Sequence, residues 1–287
     1  MSEMSWRDRQ PTMTIERETV KHPPAVRHVT VSAITRPTAS ITRITLSGDE
    51  LAGFVSSGPA DHIKVFLPDP KTGKLSAPVV TEDGVKKSKT GVTISRYYTP
   101  LGFRSHTDHH ELDIDFVVHG DDGPASAWAA RAAVGDALAI AGPRGSRLLP
   151  QGATHVILIA DETALPACSR WIDMLPTSVH ISALFDVADE SVQDYFSVEQ
   201  HARITAEWLY RRDGLGQLDS ALRSLGSIEE STFVFLAGEA GTLVSLRRYL
   251  RRELGLPKQQ VSIDGYWRRG VVNADHHAPI DPNDPED

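Results

Sequence analysis

The chain has 287 residues, with 30 Lys plus Arg against 38 Asp plus Glu and a formal net charge of −8. That length fits about two domains, and 40% hydrophobic with 24% charged residues suits a folded protein with a sizeable core, which excludes a disordered chain. The acidic balance argues against a general nucleic-acid binder, and a single cysteine, Cys168, excludes an internal disulfide framework and a cysteine-cluster metal site.

The start of the chain is charged and lacks the apolar stretch of a secretory signal. No apolar run approaches the ~20 residues that span a bilayer. A cytoplasmic protein with no stable membrane association is expected. Residues 1–25 are polar, end in Pro23-Pro24, and read as a flexible lead-in. Residues 26–150 are strand-like. Runs rich in Val, Ile and Thr cover 27–34 and 39–46, and DHIKVFL (61–67) is closed by Pro68 and Pro70. A lysine-rich loop with room for a hairpin covers 69–90. Residues 92–99 and 111–119 alternate with period two. Many short strands at even spacing predict a small antiparallel barrel.

After Gly152 the pattern changes. HVILIA (155–160) and TFVFLAG (232–238) are continuous apolar runs that fit strands buried on both faces. Further strands are predicted over 180–187, 204–210 and 261–266, and helices over 165–175, 215–225 and 242–254. Strands alternating with helices predict a doubly wound parallel sheet over 151–270. Residues 271–287, with three prolines and four aspartates, read as a disordered tail.

Six segments carry residue types suited to chemistry. SRYYTP (95–100) ends a strand, and period two puts Arg96 and Tyr98 on one face. A guanidinium can grip a pyrophosphate while a ring stacks on a flat heterocycle, with the Thr99 hydroxyl beside them. The alternative is a solvated arginine among core aromatics. In the second segment, His119 ends a strand, Gly120 and Gly123 form a turn, and Pro124, Ala125 and Ser126 open an alanine-rich helix suited to an anion. Asp121 and Asp122 oppose that use, and a plain capped turn is the alternative. Arg144 in GPRGS (142–146) faces either phosphate or water. DETALP (161–166) lies where a doubly wound domain holds a cofactor phosphate, yet Asp161 or Thr163 reads equally as a helix cap. GEAG (238–241) lies at the carboxyl end of another buried strand. DGYWRRG (264–270) either packs at a domain junction or binds something flat or anionic.

Arg247, Arg248, Arg251 and Arg252 read as the solvated face of a helix. His106, His109 and His110 lie in a polar loop and His276-His277 in the tail, and neither group is read as a metal site. Cys168 reads as a packing residue. No acid–base dyad or other catalytic side chain is evident.

Taken in order, DHIKVFLPDP, SRYYTP, ELDIDFVVHGDDGPASAWA, GPRGS, ADETALPA, FLAGEAG and GYWRRG resemble the siderophore-interacting protein family of FAD-dependent ferric-chelate reductases, part of the ferredoxin-NADP reductase-like group. The resemblance covers residues 26–270. It implies an FAD-binding β-barrel domain over 26–150 and an NAD(P)H-binding α/β domain over 151–270. FAD would be held by Arg96, Tyr98 and Thr99 together with His119, Gly123, Pro124, Ala125 and Ser126. The nicotinamide cofactor, NADPH or alternatively NADH, would lie at Asp161, Glu162, Thr163, Ala164, Gly238, Glu239 and Ala240, with Tyr266 and Trp267 at the junction. Asp186 and Asp189 suit a free ribose hydroxyl, and Arg211 and Arg212 a 2′-phosphate. Lys64, Arg268 and Arg269 would attract an anionic ferric siderophore, of catecholate type. A local basic rim can outweigh distant net charge at a Debye length of ~8 Å. The implied function is reduction of chelated Fe(III) to Fe(II) by a monomeric enzyme. Relatives often continue the flavin motif as Y-T-x-R, whereas Leu101 stands at that arginine here, with Arg104 a nearby replacement. The alternative readings are a general flavin or ferredoxin-type reductase, and a non-enzymatic siderophore-binding protein that has lost its flavin.

Overall fold

A computed structural model describes residues 15–82, 84–88, 91–118, 123–273 and 278–284. The readings placed on residues 1–14, on His119 to Asp122 and on His276-His277 lie outside the described residues.

The alternating runs of the first half form β1 (Thr19–Lys21), β2 (Val26–Thr38), β3 (Ile41–Ser47), β4 (Ile63–Leu67), β5 (Val79–Thr81), β6 (Gly84–Lys86), β7 (Ile94–Tyr98), β8 (Pro100–Ser105), β9 (His110–Val117), β10 (Ala137–Ala141) and β11 (Gly145–Arg147). Seven of them make one antiparallel sheet in the order β7-β4-β10-β2-β3-β9-β8. The sheet curls into a half-barrel around Ile44, Leu46, Ile63, Val65, Leu112, Ile114 and Phe116, all fully buried. Burying one such side chain contributes about 1.5–3 kcal/mol. Its two edges, β7 and β8, are consecutive in the chain and joined only through Thr99. Helix α1 (Pro124–Ala129) packs against β7 and β9. The hairpin expected within 69–90 is present as β5 and β6.

The second half forms β12 (His155–Ala160), α2 (Leu165–Met174), β13 (His180–Val187), α3 (Val198–Arg203), β14 (Thr205–Tyr210), α4 (Gln217–Ser224), β15 (Thr232–Glu239), α5 (Ala240–Arg248) and β16 (Val261–Trp267). All five strands run parallel in the order β14-β13-β12-β15-β16. Both faces of the sheet are covered, as the apolar runs require. Val156, Leu158 and Ala160 share a core with α2, while Ile157 and Ile159 pack with α4 and α5. The strand order reverses between β12 and β15, so their carboxyl ends open a crevice there. Cys168 is fully buried in the α2 core, and burial pushes its thiol up, as fits a packing residue.

Three expectations need correction. The lead-in is anchored from residue 15: Ile15 is buried, β1 pairs with β11, and the Arg17 guanidinium lies over Trp171 and Phe233. Residues 278–284 of the supposed disordered tail cross α5. There Asp284 binds Arg247 at 3.0 Å and Asp281 binds Arg248 at 2.6 Å. Arg247 is therefore only 2% exposed, and the arginine-rich face is clamped by the tail's acids instead of being solvated.

Candidate functional site

The half-barrel edge comes first. β7 pairs only with β4, Val65 opposite Arg96 and Ile63 opposite Tyr98. Alternation turns Arg96 and Tyr98 to one face and Tyr97 to the other. Tyr98 packs on Phe116 with ring centroids 4.3 Å apart, and burial raises its phenol pKa. Arg96 is half-buried, and burial lowers its pKa. Among the described residues its bonds run to the Ser95 carbonyl (2.8 Å) and the Asn273 amide oxygen (3.1 Å), with no carboxylate. Thr99 and Ser126 are buried, and Ala125 and Ser126 lie in the first turn of α1, which Pro124 opens after the extended Gly123. On the opposite face, the Lys64 ammonium sits 4.6 Å from the Tyr97 ring centroid.

The second part is the rim of the parallel sheet at the strand-order reversal. Asp161, just after β12, accepts from Thr163 N–H (2.8 Å), Thr163 Oγ1, Glu239 N–H (2.9 Å) and Trp267 Nε1 (2.8 Å). It is the helix cap that the sequence allowed. Burial still holds its carboxyl above the usual range. Glu239, the last residue of β15, accepts from Thr242 N–H (2.7 Å) and Arg269 N–H (3.1 Å). Gly238 lies between them at φ 148°, and a Cβ there would stand 2.6 Å from Asp161 Oδ2. Only glycine lets the two strand ends approach so closely.

A cleft at this rim is lined by Asp161, Asp186, Arg211, Gly238, Glu239, Trp267 and Arg269. Of the rim residues singled out from sequence, Asp161, Gly238, Glu239, Trp267 and Arg269 come together. Others do not line it. Ala164 is fully buried in the core, Glu162 turns inward to the Ala188 amide and Arg211, and Arg268 donates to the Ile280 carbonyl at 2.6 Å. Arg212 pairs with Glu190 instead of the cleft. Thr242 was missed, although its place three residues after Glu239 is a capping position.

A seam joins the two parts. Tyr266, next to Trp267, packs against the α2 core, and burial raises its phenol pKa. Arg170 of α2 donates to the carbonyls of Pro100 (2.7 Å), Ser56 (2.9 Å) and Gly58 (2.8 Å). Arg104 does not replace the arginine absent at Leu101, because its guanidinium is held by Asp113 (2.9 Å) and Glu111 (3.1 Å) on β9. Arg170 reaches the Leu101 carbonyl at 3.4 Å and the Ser56 hydroxyl at 3.0 Å.

Comparison with known proteins agrees with this layout. Residues 30–147 match the siderophore-interacting FAD-binding domain family, and residues 153–270 match the siderophore-interacting protein family. The chain is 35% identical over 244 residues to the NADPH-dependent ferric-chelate reductase of Escherichia coli, covering 84% of this chain and 92% of that protein. It is 31% identical over 242 residues to the ferric vibriobactin reductase ViuB of Vibrio cholerae, covering 83% and 88%. The crystal structure of a siderophore utilization protein from T. fusca superposes with a TM-score of 0.80 at 41% identity, over 92% of this chain and all of that one.

Proposed function

We propose a function on the premise these matches supply: the chain belongs to the siderophore-interacting protein family. It is an oxidoreductase that takes electrons from NADPH and reduces siderophore-bound Fe(III) to Fe(II), with FAD as resident cofactor. One NADPH and two ferric chelates give NADP+, a proton and two ferrous ions. Fe(II) binds hard oxygen donors more weakly, so reduction frees the metal. Bound FAD supplies the conversion of a hydride into single electrons.

The observation that carries this reading is Arg96. A half-buried guanidinium whose described bonds involve no carboxylate is a charge that an anionic group would complete. A pyrophosphate is such a group, so the half-barrel edge fits FAD. In this reading Arg96 binds the pyrophosphate, Tyr98 and Thr99 meet the ring system, and Gly123, Pro124, Ala125 and Ser126 back the phosphates. Asp161, Gly238, Glu239 and Trp267 shape the nicotinamide nucleotide's seat. Arg211 and Arg269 supply charge for a 2′-phosphate, which favours NADPH over NADH. Tyr266 backs Trp267 from the α2 core. Lys64 and Arg269 draw in an anionic, catecholate-type siderophore, and Arg268, bonded to Ile280, contributes long-range charge. No side chain transfers protons. The protein positions the reactants and supplies the field, working as a monomer in the cytoplasm.

The test is NADPH oxidation by the FAD-loaded chain with a ferric catecholate and a ferrous-specific dye. Two Fe(II) per NADPH supports the reading. NADPH oxidation that needs free flavin or ferredoxin and yields no Fe(II) from the chelate supports a general flavin reductase instead.

A further inference from the structure

The sequence Ser105-His106-Thr107-Asp108-His109-His110-Glu111 joins β8 to β9, and the proposed reaction uses none of it. The His106 N–H donates to the His109 carbonyl at 2.9 Å and closes the turn, while Arg104 stands opposite Glu111 in the ladder. This fold stacks the His106 and His109 rings, with centroids 4.4 Å apart and planes within 17°. Both Nε2 atoms face one carboxylate: His106 Nε2 is 3.8 Å from Glu111 Oε2, and His109 Nε2 is 4.0 Å from Glu111 Oε1. The three ligand atoms lie within 4.8 Å of one another.

Those separations are too long for hydrogen bonds. Two ligands on one tetrahedral zinc at ~2.0–2.1 Å stand about 3.3–3.5 Å apart, so a small contraction closes the set around an ion. A second shell is already in place. His109 Nδ1 lies 2.8 Å from Asp108 Oδ1, and donation to that carboxylate leaves the lone pair on Nε2. Arg104 holds Glu111 at 3.1 Å. Asp108, Glu111 and Asp113 outnumber Arg104 and Arg43, the two arginines that act on them, so the local field favours a cation.

We propose that the β8–β9 hairpin is a zinc site, with His106 Nε2, His109 Nε2 and a Glu111 oxygen as ligands and water in the fourth position. Two imidazoles and a carboxylate without sulfur suit a first-row divalent ion, and zinc outcompetes Fe(II) for such donors. The hairpin tip lies the length of β8 away from Thr99, roughly 17–20 Å at 3.3 Å per residue. The site is thus separate from the proposed reaction and acts by fixing the hairpin.

The test is isothermal titration of ZnCl2 into tag-free, chelator-stripped full-length protein, with the Co2+ absorption spectrum as a readout of tetrahedral geometry. One equivalent should bind. His106→Ala or His109→Ala should weaken binding at least tenfold. Asp108→Asn should weaken it about 10–100-fold, the usual cost of losing such a partner. FAD affinity and ferric-chelate reduction should not change in these variants. The proposal is overturned by the absence of a binding isotherm, by equal binding in a His106→Ala/His109→Ala double variant, or by loss of binding on His276→Ala/His277→Ala alone.

Discussion

The half-barrel edge at Arg96 and the parallel-sheet rim at Asp161 handle charge in opposite ways. At the rim, acids turn onto donors of their own chain: Asp161 onto Thr163, Glu239 and Trp267, Glu239 onto Thr242 and Arg269, and Glu162 onto Ala188 and Arg211. Carboxylates that would repel a phosphate are instead the posts around which the crevice is built. At the edge, among the described residues, Arg96 bonds to the Ser95 carbonyl and the Asn273 amide oxygen and to no carboxylate. The rim is organised by the fold, whereas in the proposed function the edge is completed by a ligand. Rim substitutions should therefore cost stability as well as binding, and edge substitutions binding alone.

The largest expected effect separates the two regions altogether. Arg170→Ala removes the guanidinium donor from the carbonyls of Ser56 and Pro100 at the seam and leaves the Gly58 carbonyl only its 3.3 Å bond from the Asp61 N–H. At about 1–3 kcal/mol for each orphaned group, a loss of roughly 3–5 kcal/mol is expected, which scanning calorimetry reads as a Tm lower by about 6–15 °C. Gly238→Ala comes next. Its φ of 148° and the 2.6 Å approach to Asp161 should cost about 2–3 kcal/mol of backbone strain. The NADPH KM should rise as the Asp161 carboxylate is displaced, with FAD affinity unchanged.

Arg96→Ala should do the reverse. Losing a charge-assisted bond of about 1.5–3 kcal/mol should raise the FAD Kd roughly 10–100-fold, with thermal stability of the flavin-free protein little altered. The smallest effect is the pH response of Asp186. Burial raises its carboxyl to about 6 despite the nearby Arg211. The folded state holds this proton more tightly than the unfolded chain, so the group's contribution to stability falls as pH rises from 3.8 to about 6. Above that range its charge faces Arg211 and Arg269 and opposes a bound phosphate. Asp186→Asn should lower the NADPH KM a few-fold at about pH 7.5 and leave it nearly unchanged at about pH 5.

The parallel sheet was legible because HVILIA and TFVFLAG admit few other readings, and its rim followed from strand order. The half-barrel was legible from period two, except at β8, where Pro100 and Gly102 break the alternation. What stayed hidden was long-range pairing. Arg170 sits in a largely apolar helix, and its partners lie 70 and 112–114 residues away. Arg247 and Arg248 have the spacing of a solvated face, and only the folded-back Asp281 and Asp284 bury one of them and pair both. The His106–Glu111 cluster depends on a turn whose closure no local pattern announces.

In the proposed function, electrons pass from NADPH through FAD at the Arg96 edge to chelated iron. It is tested most directly by anaerobic stopped-flow of the FAD-loaded protein, mixing first with NADPH and then with a ferric catecholate siderophore. The flavin absorbance should bleach, then recover as Fe(II) appears, with both phases lost in Arg96→Ala until FAD is added in excess. Bleaching without recovery on addition of the chelate, or an Arg96→Ala protein that stays fully yellow and fully active, would contradict it.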